Sequence, residues 1–231
     1  MKVIITGASG FAGSELIRQA LLRPEITSII AVSRKPVSAP GDASEADAAK
    51  VKSVVVDDYD VYPDDVKKEF AGAAACIWTV TITCPNSKSF THQELVRVCQ
   101  TSTVVGLLAM VEAQPTKPFR FLYMSGMAAE RDQTKTPALE PEYALLRGEA
   151  ENKLLQCASE LDNIKILVTR PGFITAPDRP VPPPAAEILR GKTIDVSELA
   201  KVMLELVLVG SDKDPLWTAD LMEVAERLNK A

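Results

Sequence analysis

Val3-Ile4-Ile5-Thr6-Gly7-Ala8-Ser9-Gly10-Phe11-Ala12-Gly13, followed by Ser14-Glu15-Leu16-Ile17-Arg18-Gln19-Ala20-Leu21-Leu22, decides the fold of this chain. A short apolar run breaks at three spaced glycines, and a helical pattern follows over Ser14 to Leu22. That is a strand, a tight turn and a helix. Gly7 permits the turn, Gly10 leaves no side chain in the way of a pyrophosphate, and Gly13 lets the helix lie close on the strand. The helix N-terminus offers N–H groups and the positive end of its dipole to phosphate. The stretch therefore reads as a dinucleotide site, with Ser9 and Phe11 belonging to the same turn.

Outward from this stretch, apolar runs alternate with helical patterns. Strands are expected at Thr27 to Ser33, Val51 to Val56, within Ala74 to Thr83, at Phe119 to Met124 and at Lys165 to Thr169. Helices are expected at Pro63 to Phe70, Thr91 to Ala113, Glu142 to Leu161, Asp195 to Val209 and Thr218 to Asn229. Asp195 and Glu198 have the spacing of a capping box. Residues 36–50, rich in Pro, Ala, Ser, Gly and Asp, read as a loop in place of a second helix. Thr175 to Pro184 holds five prolines, which excludes a regular helix or a central strand, and reads as an extended loop over a substrate pocket.

This alternation predicts an α/β fold with a doubly wound parallel sheet of the Rossmann kind. It forms a single domain with a small C-terminal extension. Such sheets bind ligands at the carboxyl ends of their strands. The glycines, the end of the second strand, Asp57-Asp58, Trp78-Thr79, Ser125 and Arg170-Pro171-Gly172 all fall at such ends.

Composition narrows the partners. The 231 residues suit one such domain, and 46% hydrophobic with 25% charged residues is ordinary for a globular protein. A net charge of -5 and the lack of an Arg/Lys stripe argue against nucleic acid. The longest apolar run, Val104 to Val111, is too short for a membrane span, so no membrane partner is expected. Cys76, Cys84, Cys99 and Cys157 are scattered without metal or redox spacing, and the single His92 completes no metal site with them. They read as reduced thiols of a cytoplasmic protein.

The second strand ends Val32-Ser33-Arg34-Lys35. An acid there would hold the ribose hydroxyls of NAD, whereas a base accommodates the 2′-phosphate of NADP. Arg34 can pair with that phosphate as a fork, with Ser33 and Lys35 adding contacts, so NADP (NADPH) is favoured. The same residues would also suit a solvated turn. Asp57 can accept from the adenine amino group, or join Asp58 in starting the turn toward Pro63. Thr79 is counted with the cofactor contacts.

Taken together these residues resemble the short-chain dehydrogenase/reductase superfamily over nearly the whole chain. Tyr143-Ala144-Leu145-Leu146-Arg147 is similar to its Tyr-x-x-x-Lys pair, Arg170-Pro171-Gly172-Phe173 to the stretch passing the nicotinamide, and Thr193-Ile194-Asp195-Val196 to its C-terminal ending. The similarity points to the compact atypical branch with NmrA-like and Tat-interacting-protein-like members. It implies Tyr143 as proton donor, Arg147 on the nicotinamide ribose, Ser125 orienting the substrate, and Pro171 and Phe173 beside the nicotinamide.

Two positions depart from the pattern. Arg147 replaces the usual lysine, and Gly126-Met127 stand where the catalytic hydroxyl often lies. Two functions follow from the resemblance. One is an NADPH-dependent reductase acting on a small-molecule carbonyl or enone. The other is a non-catalytic NADP-binding regulator working through a protein partner. Self-pairing of the helices at 91–113 and 142–161 would give a homodimer.

Overall fold

In the computed structural model, which describes residues 1–181 and 189–230, strand β1 (Lys2–Thr6) lies inside a parallel sheet. On one side stand β2 (Ser28–Ser33) and β3 (Val51–Val55). On the other stand β4 (Ala75–Trp78), β5 (Phe119–Met124) and β6 (Ile164–Arg170). A two-residue edge strand, β9 (Leu216–Trp217), completes the order β3-β2-β1-β4-β5-β6-β9. The order reverses between β1 and β4, which opens a crevice at their carboxyl ends.

The strands are Val/Ile-rich because both faces of the sheet are covered. Val3 and Ile5 pack into one core with Ile77 and Leu122, while Ile4 packs into the other with Cys76, Trp78 and Phe121. The first core is closed by α1 (Phe11–Leu21), α7 (Val196–Val209) and α8 (Thr218–Lys230) through Leu16, Met203 and Leu221. The second is closed by α3 (Asp64–Phe70), α5 (Ser102–Glu112) and α6 (Pro141–Glu160) through Phe70, Met110 and Leu154.

Several local expectations are corrected. The loop at 36–50 contains a one-turn helix, α2 (Glu45–Ala48), because Ser44 caps it by accepting from the Asp47 N–H. Asp195 caps α7 but forms no capping box. Its carboxylate accepts from the Ser197 N–H at 2.8 Å, while Glu198 turns to Lys201 at 2.8 Å. A capping box forms instead at Thr91 and Glu94, which open α4 (His92–Val96).

The long helix carries a π turn at Arg97–Thr101 between α4 and α5, where the Cys99 carbonyl accepts from the Tyr123 hydroxyl at 3.2 Å. His92–Glu112 has 21 residues and a mean hydropathy of 1.4 in its most apolar stretch, enough by composition for a membrane span. Here Cys99, Leu107 and Met110 are fully buried inside the protein.

Beyond β6, β7 (Phe173–Thr175) pairs in parallel with β8 (Thr193–Asp195), a two-stranded sheet absent from the sequence reading. Of the expected loop from Thr175 to Pro184, Thr175 belongs to β7 and Ala176–Arg179 form a turn. Its last three residues, 182–184, lie outside the described residues.

Candidate functional site

The glycine turn is built by two separate constraints. Gly7 has a φ of +69°, and a Cβ there would lie 2.5 Å from the Thr79 hydroxyl oxygen. Both conformation and space exclude a side chain. Thr79 holds the crevice together by donating to the Thr6 carbonyl at 2.7 Å. A Cβ at Gly13 would sit 2.1 Å from the Gly7 carbonyl oxygen, so this glycine serves the packing of α1 on the turn.

Gly10 is different. It is exposed, it is the N-cap of α1, and a Cβ there would meet only the Gly7 oxygen at 3.1 Å. No side chain caps the helix and no acid lies in its first turn. The opening amides of α1 thus stand beside an open surface, as a diphosphate requires. Ser9 is exposed on the same turn, and Phe11 is half-buried.

The second part of the site is the end of β2. Ser33 is buried and its hydroxyl donates to the Lys35 carbonyl, which shapes the turn. Arg34 and Lys35 project from that turn into solvent. Tyr59, which the sequence reading passed over, ties this turn to the glycines. Its hydroxyl donates to the Val32 carbonyl at 3.3 Å and accepts from the Gly7 N–H at 3.4 Å. Burial pushes the Tyr59 phenol up, which keeps this hydroxyl protonated. Asp57 is exposed beyond β3, while Asp58 pairs with Arg97 at 3.0 Å and accepts from the Asp60 N–H at 3.0 Å.

The third part lies at the ends of β4 and β5. Tyr143 and Arg147, one turn apart on α6, both reach across to it. The Tyr143 hydroxyl donates to the Ile82 carbonyl at 2.9 Å. Arg147 is 2% exposed and donates to the Thr81 hydroxyl at 2.9 Å and the Met124 carbonyl at 2.8 Å. Its guanidinium also lies 4.8 Å from the centre of the Tyr123 ring. Burial raises the Tyr143 phenol above its ordinary value, and the charge of Arg147 pulls it back down.

Ser125 is brought to the same strand ends but turned elsewhere. Its hydroxyl donates to Glu151, a fully buried carboxylate one turn beyond Arg147. Glu151 also accepts from Arg170 at 2.9 and 2.7 Å and from Arg131 at 2.6 Å, and Arg131 pairs with Asp214 at 2.7 Å. A buried carboxylate needs every donor within reach. The hydroxyl expected to orient the substrate thus donates to Glu151 in this structure. Pro171 is buried just past β6, and Phe173 is half-buried at the start of β7. Between them the Gly172 N–H donates to Thr218 at 2.8 Å.

Sequence reasoning also missed Arg179, whose guanidinium lies 4.4 Å from the centre of the Phe11 ring beside the glycine turn. Its loop position gives no periodic signal. The missed residues Tyr59, Glu151 and Arg179 all act through partners distant in sequence.

No curated protein sequence matches the chain. Among solved structures it is similar to MoeE5 in complex with UDP-glucose and NAD, at a TM-score of 0.68 and 16% identity, covering 100% of this chain and 82% of that one. It is similar to a carbonyl reductase from Pseudomonas aeruginosa PAO1, at 0.67 and 17%, covering 90% and 91%. The oxidoreductase ylbE from Lactococcus lactis matches at 0.63 and 20%, covering 100% and 98%. At these identities the likeness is one of fold. Residues 7–208 match the NAD(P)H-binding family, and the cradle between Gly7, Gly10 and the start of α1 has the room and the free amides that its cofactor needs. By this match the chain is a member of the NAD(P)H-binding family.

Proposed function

We propose that the protein is an NADPH-dependent reductase of a small carbonyl or enone, of the short-chain dehydrogenase/reductase type. The observation that carries this reading is the placement of Tyr143 and Arg147. Both meet the carboxyl ends of β4 and β5, on the sheet edge that carries the glycine turn. The solved structures named carbonyl reductase and oxidoreductase lend the reaction class support.

The bound cofactor would supply hydride. Gly7, Ser9, Gly10 and the first amides of α1 would hold its phosphates, and Arg34 with Lys35 would take the 2′-phosphate. Tyr143 supplies the proton. Its raised phenol stays protonated at neutral pH, the form a donor needs. The Ile82 carbonyl holds that proton until a substrate oxygen replaces it as acceptor. Arg147 fixes a positive charge beside Tyr143, which stabilises the charge that develops as the proton leaves. Ser125, whose hydroxyl donates to Glu151 in this structure, would orient the substrate oxygen beside Tyr143. Asp57 and Phe173 would border the adenine and the nicotinamide respectively. The four free cysteines suit a reducing, cytoplasmic setting.

A panel of aldehydes, ketones and enones, followed by NADPH absorbance, tests the reading. Tyr143→Phe keeps the ring and removes the proton. Cofactor affinity should hold, while turnover should fall about 10²–10⁴-fold. Full turnover in the variant would overturn the assignment of Tyr143.

One observation favours a second reading, a non-catalytic NADP-binding regulator. Tyr143, Arg147 and Ser125 all spend their donors on protein acceptors. That reading expects tight NADP(H) binding, no turnover across the panel, and a protein partner whose affinity changes with the cofactor.

A further inference from the structure

The turn Ala176–Arg179 leaves the sheet edge after β7 and brings a guanidinium onto the glycine turn. The turn is fixed by its own backbone. The Ala176 N–H donates to the Arg179 carbonyl at 3.2 Å, and the Arg179 N–H donates to the Ala176 carbonyl at 2.9 Å. The Arg179 guanidinium lies 4.4 Å from the centre of the Phe11 ring, and Phe11 is the first residue of α1.

Electrostatics makes this placement informative. The N-terminus of a helix carries partial positive charge, so an anion is stabilised there and a cation is not. Neither a side-chain cap nor a first-turn acid offsets it in α1. Glu15, further along, is held by Arg18 at 2.8 Å and Gln19 at 2.8 Å. Among the described residues no carboxylate pairs with Arg179, whereas Arg18, Arg23, Arg97, Arg131 and Arg170 all have carboxylate partners. Stacking on the Phe11 face orients the guanidinium, and its N–H donors have no hydrogen-bond partner among the described residues. Two positive features therefore meet beside the exposed Gly10, and a shared anion satisfies both.

We infer that Arg179 is a phosphate-binding residue of the dinucleotide site and pairs with the cofactor's diphosphate. The inference rests on the dinucleotide reading and adds a charged donor to what the glycine turn offers. It also divides the work between two arginines. Arg34, at the end of β2, answers to the 2′-phosphate, which only NADP carries. Arg179 answers to the diphosphate, which NADP, NAD and ADP share.

Calorimetric titration of the full chain with NADP⁺, NAD⁺ and ADP tests this division. Arg179→Ala should weaken all three by similar factors, about 10–100-fold for a lost charge-assisted hydrogen bond. Its circular-dichroism spectrum should match that of the wild type. Arg179→Gln keeps the stem without the charge and should show the same loss, while Arg179→Lys should recover part of it. Arg34→Ala provides the contrast, weakening NADP⁺ alone. Unchanged ADP affinity in Arg179→Gln overturns the inference, and so does a loss confined to NADP⁺. If the wild-type chain binds none of the three, the dinucleotide reading fails and the inference falls with it.

Discussion

Gly7, Gly10 and Gly13 share one spacing but do three jobs, and the structure separates them. Gly7 is demanded by its φ of +69° and by Thr79, Gly13 by the Gly7 carbonyl, and Gly10 by no contact closer than 3.1 Å among the described residues. Backbone constraints of this kind are local, which is why the sequence exposes them. The partners of Ser33 and Ser125 are harder to read. Ser33 spends its hydroxyl on the Lys35 carbonyl, and Ser125 spends its own on Glu151, 26 residues away. A glutamate on a helix reads from sequence as a solvated residue, so Glu151 carried no signal. Among the basic residues after β2, Arg34 is exposed and able to form a fork with phosphate. Arg34→Ala should cost about 1.5–3 kcal/mol of NADP⁺ affinity, the worth of a hydrogen bond to a charged group, and leave NAD⁺ nearly unchanged. Titration of both cofactors checks this. Equal losses would place the 2′-phosphate away from Arg34.

At the scale of elements, the long strands and helices were legible because each repeats its period over several residues. The elements that went unread are short. β7 and β8 have three residues each and β9 has two, too few for alternation to register. The π turn at Arg97–Thr101 was also invisible, since its bond to the Tyr123 hydroxyl comes from β5. What joins α6 to β5 and β6 is the buried cluster around Glu151, and it has a measurable consequence. Glu151 accepts from Ser125, Arg170 and Arg131 with no exposure to solvent. Glu151→Gln removes the fully buried negative charge of this cluster and leaves Arg170, 5% exposed, without the carboxylate it pairs with. Breaking a buried pair in this way costs about 3–5 kcal/mol. Urea unfolding should show a lower midpoint with an unchanged slope. A midpoint within error of the wild type would mean that Asp214 and water replace the carboxylate.

At the scale of the whole molecule, the two cores differ in a way that composition hides. The chain has four tyrosines, Tyr59, Tyr62, Tyr123 and Tyr143. Tyr59, Tyr62 and Tyr123 lie in the core beneath α3, α5 and α6, and Tyr143 stands on α6 itself. Burial raises all four phenols above the ordinary value of 10.0. Helical and strand periods place a residue on a face but do not report how deeply it is covered, so this was not legible beforehand. The linkage sign follows directly. Above pH 10 the unfolded chain loses phenolic protons while the native chain keeps them, so the native state binds more protons and stability falls as pH rises. Below pH 10 both states are protonated and this contribution is fully present. For Tyr62 and Tyr123, the two raised furthest, the slope reaches about 3 kcal/mol per pH unit once both are ionised in the unfolded chain and neither in the native one. Alkaline titration should therefore show no phenolate absorbance until circular dichroism reports unfolding, and the two signals should then rise together. A single phenolate appearing reversibly in the native state would break the pattern. Tyr143 is the residue to suspect in that case, because Arg147 beside it favours the ionised form. Repeating the titration with Tyr143→Phe decides whether that signal is its own. If it is, Tyr143 ionises within a folded site, and burial with the Ile82 bond does not outweigh the charge of Arg147.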